Sequence, residues 1–207
     1  MKQPAIFLDR DGTITDMVYY PEHALVDSPC SPSQLVLIER TGTALRSFQN
    51  LGYKLILISN QPGIAKKHFT PEIHQQMVQR LEYLLSLEGV ALTAQYYCLH
   101  HPQAKLAQYR LDCGCRKPKP GLLQQAAQEH NLSLGNSITI GDSLTDVLAG
   151  KRAGTKTILL TTLNSLITRL MADLGIEPSF IARNLLEAVE QCKLSSSPAA
   201  SGLASCL

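Results

Sequence analysis

The chain has 207 residues, of which 44% are hydrophobic, and its formal net charge is +2. This length supports one globular domain, expected over residues 1–193, and the small charge is too mild to indicate a nucleic-acid-binding protein. No apolar run approaches the roughly 20 residues that span a bilayer, and no signal-peptide apolar region is present, so we expect a cytoplasmic protein with reduced cysteines and no membrane contact.

Short apolar runs alternate with segments of helical spacing along the chain. Runs typical of buried strands cover residues 5–8, 54–58, 95–99, 137–140 and 156–160. Helices are predicted over residues 34–51, 70–87, 121–130, 143–153 and 184–192. This alternation predicts an α/β fold with a mainly parallel sheet covered by helices on both faces. The Ser-, Ala- and Gly-rich residues 194–207 are predicted to form a disordered tail.

Polar side chains follow three of these strands at the point where each strand ends. Asp9 and Asp11 follow the first strand, Ser59 and Asn60 the second, and Asp142 the fourth. Ligands of open α/β sheets bind beyond the carboxyl ends of the strands. We therefore expect these side chains to converge on one crevice.

Asp9 and Asp11 are two residues apart, so both should point to one side of the extended chain while Arg10 points away. Together with Asp142 they supply three carboxylates that repel one another unless a cation lies among them. Oxygen ligands suit Mg²⁺. The alternative is that Asp11 and Gly12 only form a turn and that Asp142 only caps a helix.

This combination of residues can support phosphoryl transfer. A carboxylate can attack phosphorus to form an aspartyl-phosphate, with Mg²⁺ and a lysine offsetting the repulsion between the anions. Asp9, which is closest to the strand and held most rigidly, fits the nucleophile. Asp11 fits the acid that protonates the leaving oxygen and the base that later activates water. Ser59 and the Asn60 amide would hold phosphoryl oxygens.

Two pairs of potential metal ligands flank a long loop. Cys98 with His100, and Cys113 with Cys115, supply three thiolates and one imidazole, the set that tetrahedral Zn²⁺ prefers. His101 is a rival ligand to His100. A redox disulfide between Cys113 and Cys115, or unrelated buried thiols, are the alternatives to a zinc site.

The same loop, residues 97–120, carries the cations Arg116 and Lys117 just after its last cysteine. Zinc would clip the ends of this zinc loop together and hold both cations at the mouth of the phosphate site. The alternative is that Arg116, Lys117 and Lys119 form a solvated basic patch.

In four motifs, taken in their usual order, the chain resembles the haloacid-dehalogenase-like (HAD-like) phosphatases. The motifs are DRDGT from residue 9, SNQ from residue 59, Lys117, and GDSLTD from residue 141. The resemblance implies a Rossmann-like fold without a large cap domain, an Asp9 nucleophile and an Asp11 acid and base. It also implies Mg²⁺ on Asp9, the Asp11 backbone carbonyl and Asp142, with Asp146 orienting the site.

The zinc loop resembles that of the zinc-containing branch that includes heptose bisphosphate phosphatases and histidinol-phosphatases. The resemblance implies that Arg116 and Lys117 recognise substrate and stabilise the transferring phosphoryl group. We expect a monomer that removes the 7-phosphate of D-glycero-D-manno-heptose 1,7-bisphosphate, a small metabolite of lipopolysaccharide synthesis.

Several residues depart from the pattern of that branch. Leu99 replaces a proline, Ser59 a threonine and Pro62 a small polar residue, and residues 16–32 match the substrate loop only loosely. Histidinol-phosphate phosphatase, polynucleotide 3′-phosphatase and a non-catalytic zinc-binding module are therefore rival interpretations. The modest charge and zinc loop argue against a nucleic-acid substrate, and the paired carboxylates argue against a binding module.

Overall fold

The computed structural model describes residues 2–163 and 165–196. The strands in this part of the chain are β1 (Ala5–Leu8), β2 (Val18–Tyr20), β3 (Leu25–Asp27), β4 (Lys54–Asn60), β5 (Ala94–Cys98), β6 (Ile138–Gly141), β7 (Lys156–Leu160) and β8 (Phe180–Ala182). The α-helices are α1 (Thr41–Asn50), α2 (Pro71–Leu87), α3 (Gly121–Glu129), α4 (Leu144–Ala153), α5 (Leu166–Asp173) and α6 (Leu185–Ser196).

Six strands form one sheet in the order β5-β4-β1-β6-β7-β8, and every neighbouring pair is parallel. The strands β2 and β3 pair with each other in a separate antiparallel hairpin. This architecture confirms the predicted mainly parallel α/β fold. All five predicted strands exist, with ends shifted by two residues at most.

The sheet carries helices on both faces because its central strand is apolar on both. In β1, Ile6 and Leu8 pack with residues of α1, α2 and α6, whereas Ala5 and Phe7 pack with residues of α3 and α4. All four side chains are fully buried. Burial on both faces explains why the strand is a continuous apolar run rather than an alternating one.

The predicted helix over residues 34–51 is wrong in its first part. A 3-10 turn ends at Gln34, and the backbone then runs extended beside the first motif, where the Ile38 amide donates to the Ile14 carbonyl at 3.0 Å. The helix α1 begins only at Thr41, after Arg40 in a left-handed conformation. Pairing of this segment with the residues after the first motif therefore overrides the helical spacing of its apolar side chains.

The sequence did not predict the hairpin, α5 or β8. At the other end, α6 continues to Ser196, past both the predicted helix end at residue 192 and the predicted start of the tail at residue 194. Residues 197–207 of that tail lie outside the described residues. The single domain over residues 1–193 stays a prediction. Within the described ranges, no helix combines the length and the apolar character needed to cross a bilayer.

The order of strands places β1 between β4 and β6, so their carboxyl ends lie side by side. The chain leaves β1 still attached to its neighbour, since the Asp9 amide donates to the Ile140 carbonyl at 3.0 Å. The three predicted polar motifs therefore share one edge of the sheet.

Candidate active site

Three carboxylates meet at this edge of the sheet. Asp9, Asp142 and Asp146 each offer an oxygen, and these oxygens lie within 4.8 Å of one another. We call these residues the aspartate cluster. Asp142 does not cap α4, because Ser143 is the N-cap residue of that helix. The alternative interpretation of Asp142 as a helix cap is therefore wrong.

Lys117 lies between two members of the aspartate cluster and is almost fully buried. Its Nζ contacts Asp9 Oδ1 at 2.8 Å and Asp146 Oδ1 at 2.5 Å, and it donates to the Ile58 carbonyl at 3.0 Å. Burial acts to lower the pKa of Lys117, but the charges of Asp146 and Asp9 outweigh it and raise the pKa. The lysine is therefore a permanent cation in this site.

One lysine does not neutralise three carboxylates. Burial, acting against the Lys117 charge and with the Asp146 charge, raises the pKa of Asp9 to about 6. Burial and the charges of Asp9 and Asp146 raise the pKa of Asp142 to about 7. Excess negative charge on oxygen donors is what a hard divalent cation such as Mg²⁺ relieves, so the donor set fits that ion.

Both oxygens of Asp146 already have partners in the protein. Oδ1 contacts Lys117, while Oδ2 accepts from the Ser143 hydroxyl at 2.5 Å and the Ser143 amide at 3.1 Å. These bonds support a role in holding Lys117, which agrees with the predicted orienting role.

Two glycines allow the carboxylates to approach the backbone. A Cβ on Gly12 would lie 2.1 Å from Asp142 Oδ2, and Gly12 has a φ of +77°, which favours glycine. A Cβ on Gly141 would lie 2.2 Å from the Asp146 carboxyl carbon. The glycines of the first and last motifs are thus required by the packing of the aspartate cluster.

The Asp11 carboxylate differs from the prediction in its partners. The Arg10 side chain does not point away but folds back, and its Nε donates to Asp11 Oδ1 at 2.7 Å. Gln61 Nε2 and Thr15 Oγ1 also donate to this carboxylate, at 2.8 and 3.0 Å. Burial acts to raise the pKa of Asp11, but the Arg10 charge and the hydrogen bonds from Arg10 and Gln61 lower it. Sequence reasoning missed the parts played by Arg10, Thr15 and Gln61.

Asn60 ties the zinc loop to the end of β4. Its side-chain Nδ2 donates to the Lys117 carbonyl at 3.1 Å, and its Oδ1 accepts from the Lys117 amide at 3.0 Å. The amide therefore positions the lysine, and its contact with phosphoryl oxygens stays a prediction. Ser59 is buried beside it and accepts from Gln61 Nε2 at 3.0 Å.

The four predicted zinc ligands come together at the ends of the zinc loop. Ligand atoms of Cys98, His100, Cys113 and Cys115 lie within 4.8 Å of one another, and we call these residues the cysteine cluster. Its cysteines are free thiols with Sγ–Sγ distances of 3.1 to 3.5 Å, well beyond the roughly 2.05 Å of a disulfide bond. His101 is engaged elsewhere, since its Nδ1 accepts from the Gln103 amide.

The charge states of the thiols fit a metal site. Burial acts to raise the pKa of Cys113, but hydrogen bonds with Cys115 and Cys98 lower it to about 7. Burial and a hydrogen bond with Cys115 raise the pKa of Cys98. A thiolate stabilised by neighbouring thiols is a good first ligand, and a divalent metal then deprotonates the rest.

Arg116 and Lys119, the other cations of the zinc loop, differ in their surroundings. Arg116 Nη1 donates to the His100 carbonyl at 3.3 Å, and the residue lines a cavity of about 220 Å³. This cavity is also lined by Asn60, Gln61 and two cationic candidates that the sequence did not reveal, Lys66 and His68. Lys119 instead pairs with the exposed Asp112, so the solvated interpretation holds for Lys119 alone.

A larger cavity of about 490 Å³ lies between α5 and β8 and is lined by apolar side chains such as Leu159, Met171 and Phe180. It shares no lining residue with either cluster. The 220 Å³ cavity is the candidate substrate pocket, because Asn60 and Gln61 at the end of β4 line it together with the cation Arg116 of the zinc loop.

Known proteins are similar to this chain in sequence and in fold. The HAD-hydrolase-like family matches residues 114–188. A D-glycero-beta-D-manno-heptose-1,7-bisphosphate 7-phosphatase from Haemophilus ducreyi is 39% identical over 170 residues, which cover 81% of this chain and 88% of the relative. The enzyme of that name from Pasteurella multocida is 40% identical over 165 residues, covering 79% of this chain and 84% of the relative.

A solved structure of a heptose bisphosphate phosphatase is also similar to this chain. The D,D-heptose 1,7-bisphosphate phosphatase from B. bronchiseptica, complexed with magnesium and phosphate, aligns with a TM-score of 0.75 and 26% identity over 95% of this chain and 100% of that one. The fold is that of a HAD-like phosphatase, and the named relatives make the chain a phosphoric monoester hydrolase. Within that class, the chain belongs to the family of D-glycero-beta-D-manno-heptose-1,7-bisphosphate 7-phosphatases.

Proposed function

We propose that the chain is a Mg²⁺-dependent phosphomonoesterase that removes the 7-phosphate of D-glycero-D-manno-heptose 1,7-bisphosphate. The names of its relatives support this substrate. The observation that carries the chemistry is Lys117 Nζ lying 2.8 Å from Asp9 Oδ1 within the aspartate cluster. A carboxylate restrained in this way by a buried cation is oriented for attack on phosphorus.

The first step forms an aspartyl-phosphate on Asp9. A carboxylate oxygen of Asp9 bonds to phosphorus as the bond from phosphorus to the leaving sugar oxygen breaks. That oxygen takes a proton from Asp11. Because the pKa of Asp11 is lowered in the free protein, the carboxyl must take up this proton as the anionic substrate binds. Lys117, beside Asp9, stabilises the negative charge that gathers on the phosphoryl oxygens, and Ser59 donates its hydroxyl hydrogen to one of them.

The second step releases inorganic phosphate. A water molecule attacks phosphorus and gives a proton to Asp11, and the bond between phosphorus and Asp9 breaks. Both side chains then return to their starting protonation states, so the cycle balances.

Oxygens of Asp9 and Asp142 and the backbone carbonyl of Asp11 would hold Mg²⁺, which supplies a positive charge that offsets repulsion between the carboxylates and the phosphate. The raised pKa values of Asp9 and Asp142 support this assignment. Cys98, His100, Cys113 and Cys115 would hold Zn²⁺ as a structural ion.

The pocket beside Arg116 would receive the sugar end of the substrate. Its lining by Arg116, Lys66 and His68 suits an anionic metabolite. The net charge of only +2 supports a small metabolite rather than a nucleic acid. We further propose that the protein acts as a cytoplasmic monomer, with one catalytic domain over residues 1–193.

A substrate panel tests this function. Phosphate release should be fastest with a heptose 1,7-bisphosphate, offered as both anomers, and should require added Mg²⁺. Histidinol phosphate and a 3′-phosphorylated oligonucleotide should be turned over about 100-fold less efficiently, because they lack the sugar bisphosphate that the pocket would recognise. A preference for either of those two compounds would replace the proposed substrate.

A further inference from the structure

A cavity of about 350 Å³ lies where α1 and α6 begin. Its lining includes Thr13 of the first motif and two arginines, Arg40 and Arg183. It shares no lining residue with the candidate substrate pocket, and its described lining contains no member of the aspartate cluster. The proposed reaction does not use this cavity, which we call the helix-start cavity.

Thr13 offers the cavity a hydroxyl that the protein does not use. The residue is 1% exposed, and its Oγ1 is buried without a hydrogen-bond partner in the described part of the chain. Leaving a buried hydroxyl unpaired costs about 1–3 kcal/mol, which a valine of the same shape would avoid. A ligand in the cavity that supplies the missing partner explains why this residue carries a hydroxyl.

Arg40 offers the cavity a cation that is also unused. It is the N-cap residue of α1, where its φ of +66° favours glycine and its side chain makes no cap hydrogen bond. Among the described residues, neither its guanidinium nor the Gly42 and Thr43 amides donate to any group. A free arginine and an uncapped helix start are groups that bind phosphate.

The remaining charges of the lining favour an anion. Two arginines stand against one glutamate, Glu39. Arg183 Nε already donates to Glu187 Oε1 at 2.5 Å, so Arg40 is the cation that a ligand can engage. The start of α6 adds positive potential of its own, since helix amino termini carry a partial positive charge.

We propose that the helix-start cavity binds a phosphate dianion, either free inorganic phosphate or the phosphate group of a metabolite, at a site separate from the reaction. Its oxygens accept from the Arg40 guanidinium, the free amides at the start of α1 and the Thr13 hydroxyl. The tetrahedral oxygens of phosphate can serve donors that approach from these different directions, whereas the oxygens of a carboxylate lie in one plane. The site does not depend on the proposed phosphatase function.

Equilibrium dialysis with radiolabelled inorganic phosphate tests the proposal on the full chain supplied with Mg²⁺ and Zn²⁺. At the concentration that saturates the wild type, Arg40→Gly should bind one phosphate per chain fewer, because losing a charged donor weakens binding about 10- to 100-fold. Glycine suits the left-handed backbone at this position, so the variant should fold. An unchanged count of bound phosphate would overturn the proposal.

Phosphatase kinetics show which phosphate is lost. Arg40→Gly should keep the wild-type kcat, and a large fall in kcat would assign the lost phosphate to the reaction and overturn the proposal. Arg46→Gln removes a charge from the same helix at an exposed ion pair with Glu88 and is the matched control. It should bind as many phosphates as the wild type.

Two further variants should shift phosphate binding in opposite directions. Thr13→Val should weaken it, yet without phosphate its unfolding temperature should equal or exceed that of the wild type, since an unpaired buried hydroxyl is removed. Glu39→Gln removes the acid from the lining and should tighten binding about two- to fivefold. Wild-type phosphate affinity in both variants would overturn the proposal.

Methylphosphonate distinguishes the two sources of the anion, because its phosphorus carries a substituent as a phosphate ester does. If it displaces the phosphate that Arg40→Gly lacks, the site accepts the phosphate group of a metabolite. If only inorganic phosphate occupies the site, the ligand is the free anion. Either result supports the site, and binding of neither anion beyond the amount that Arg40→Gly retains would refute it.

Discussion

The aspartate cluster and the cysteine cluster are assembled from different parts of the fold. The aspartate cluster is supplied by the ends of β1 and β6 and the first turn of α4. In the cysteine cluster only Cys98 belongs to a strand, and the other three ligands come from the zinc loop. Groups at strand ends are held by the hydrogen bonds of the sheet, whereas loop groups need a cross-link to hold them.

Lys117 connects the two clusters. It follows Cys115 by two residues, and its Nζ reaches Asp9 and Asp146. We therefore expect the cysteine cluster to act on the reaction through the position that it gives Lys117. The comparison predicts that substitutions in the aspartate cluster lower the activity strongly and directly. Substitutions in the cysteine cluster should lower it less, and only through the position of Lys117.

The largest effect should come from Asp9→Asn. Removing the nucleophile should lower kcat by about 1,000-fold or more, measured as phosphate release from the heptose bisphosphate. Asp173→Asn, at an exposed position of α5, should keep wild-type activity. Substantial turnover by Asp9→Asn would remove the aspartate cluster from its catalytic role.

Lys117→Met should cost both activity and stability. Deleting one partner of a buried ion pair typically costs about 3–5 kcal/mol, because carboxylates are left without their cation. Lys119→Met breaks the exposed pair with Asp112 and should cost less than about 1 kcal/mol. If urea unfolding showed that Lys117→Met and Lys119→Met lose equal amounts of stability, the link that Lys117 makes between the clusters would be contradicted.

Cys113→Ser should act through the position of the zinc loop. Zinc content should fall to near zero, and kcat/KM should fall by about 10- to 100-fold as Lys117 and Arg116 lose their fixed positions. Cys30→Ser, outside the cysteine cluster, should keep its zinc. A zinc-free variant with full activity would show that the loop needs no metal.

The smallest effect is a dependence of Mg²⁺ affinity on pH. With pKa values raised to about 6 for Asp9 and about 7 for Asp142, protons compete with the cation as pH falls through this window. Apparent affinity should weaken about tenfold per unit between pH 7 and 6, when Asp142 is protonated, more steeply below pH 6, when Asp9 is protonated as well, and level off above pH 7. Calorimetric titrations between pH 5.5 and 8 measure this change, and a flat profile would contradict the assigned ligands.

The sequence predicted the strand ends well because the physics there is local. A buried run such as residues 5–8 has few structural alternatives, and a carboxylate directly after it must lie at the sheet edge. The cysteine cluster could be predicted equally well, because its four residues form two pairs that are close in the sequence.

The errors arose where long-range contacts decide the structure. The alternation of side chains along an extended chain predicts the direction in which Arg10 leaves the backbone. It does not predict the path of a long side chain that turns back to Asp11. The hairpin strands have only three residues each and β3 is exposed, so their short apolar runs show no periodicity that would identify them as strands. The segment before α1 kept helical spacing while pairing with residues 14 and 15.

The hairpin has an evolutionary consequence. Its strands bond to each other and not to the six-stranded sheet, while residues 27–30 at its end line the pocket beside Arg116. Substitutions there can reshape one wall of the pocket proposed to receive the sugar without disturbing any hydrogen bond of the sheet that carries Asp9. Under the proposed function, divergence among descendants of this gene can therefore alter which alcohol is released while the means of breaking the phosphate ester is inherited unchanged.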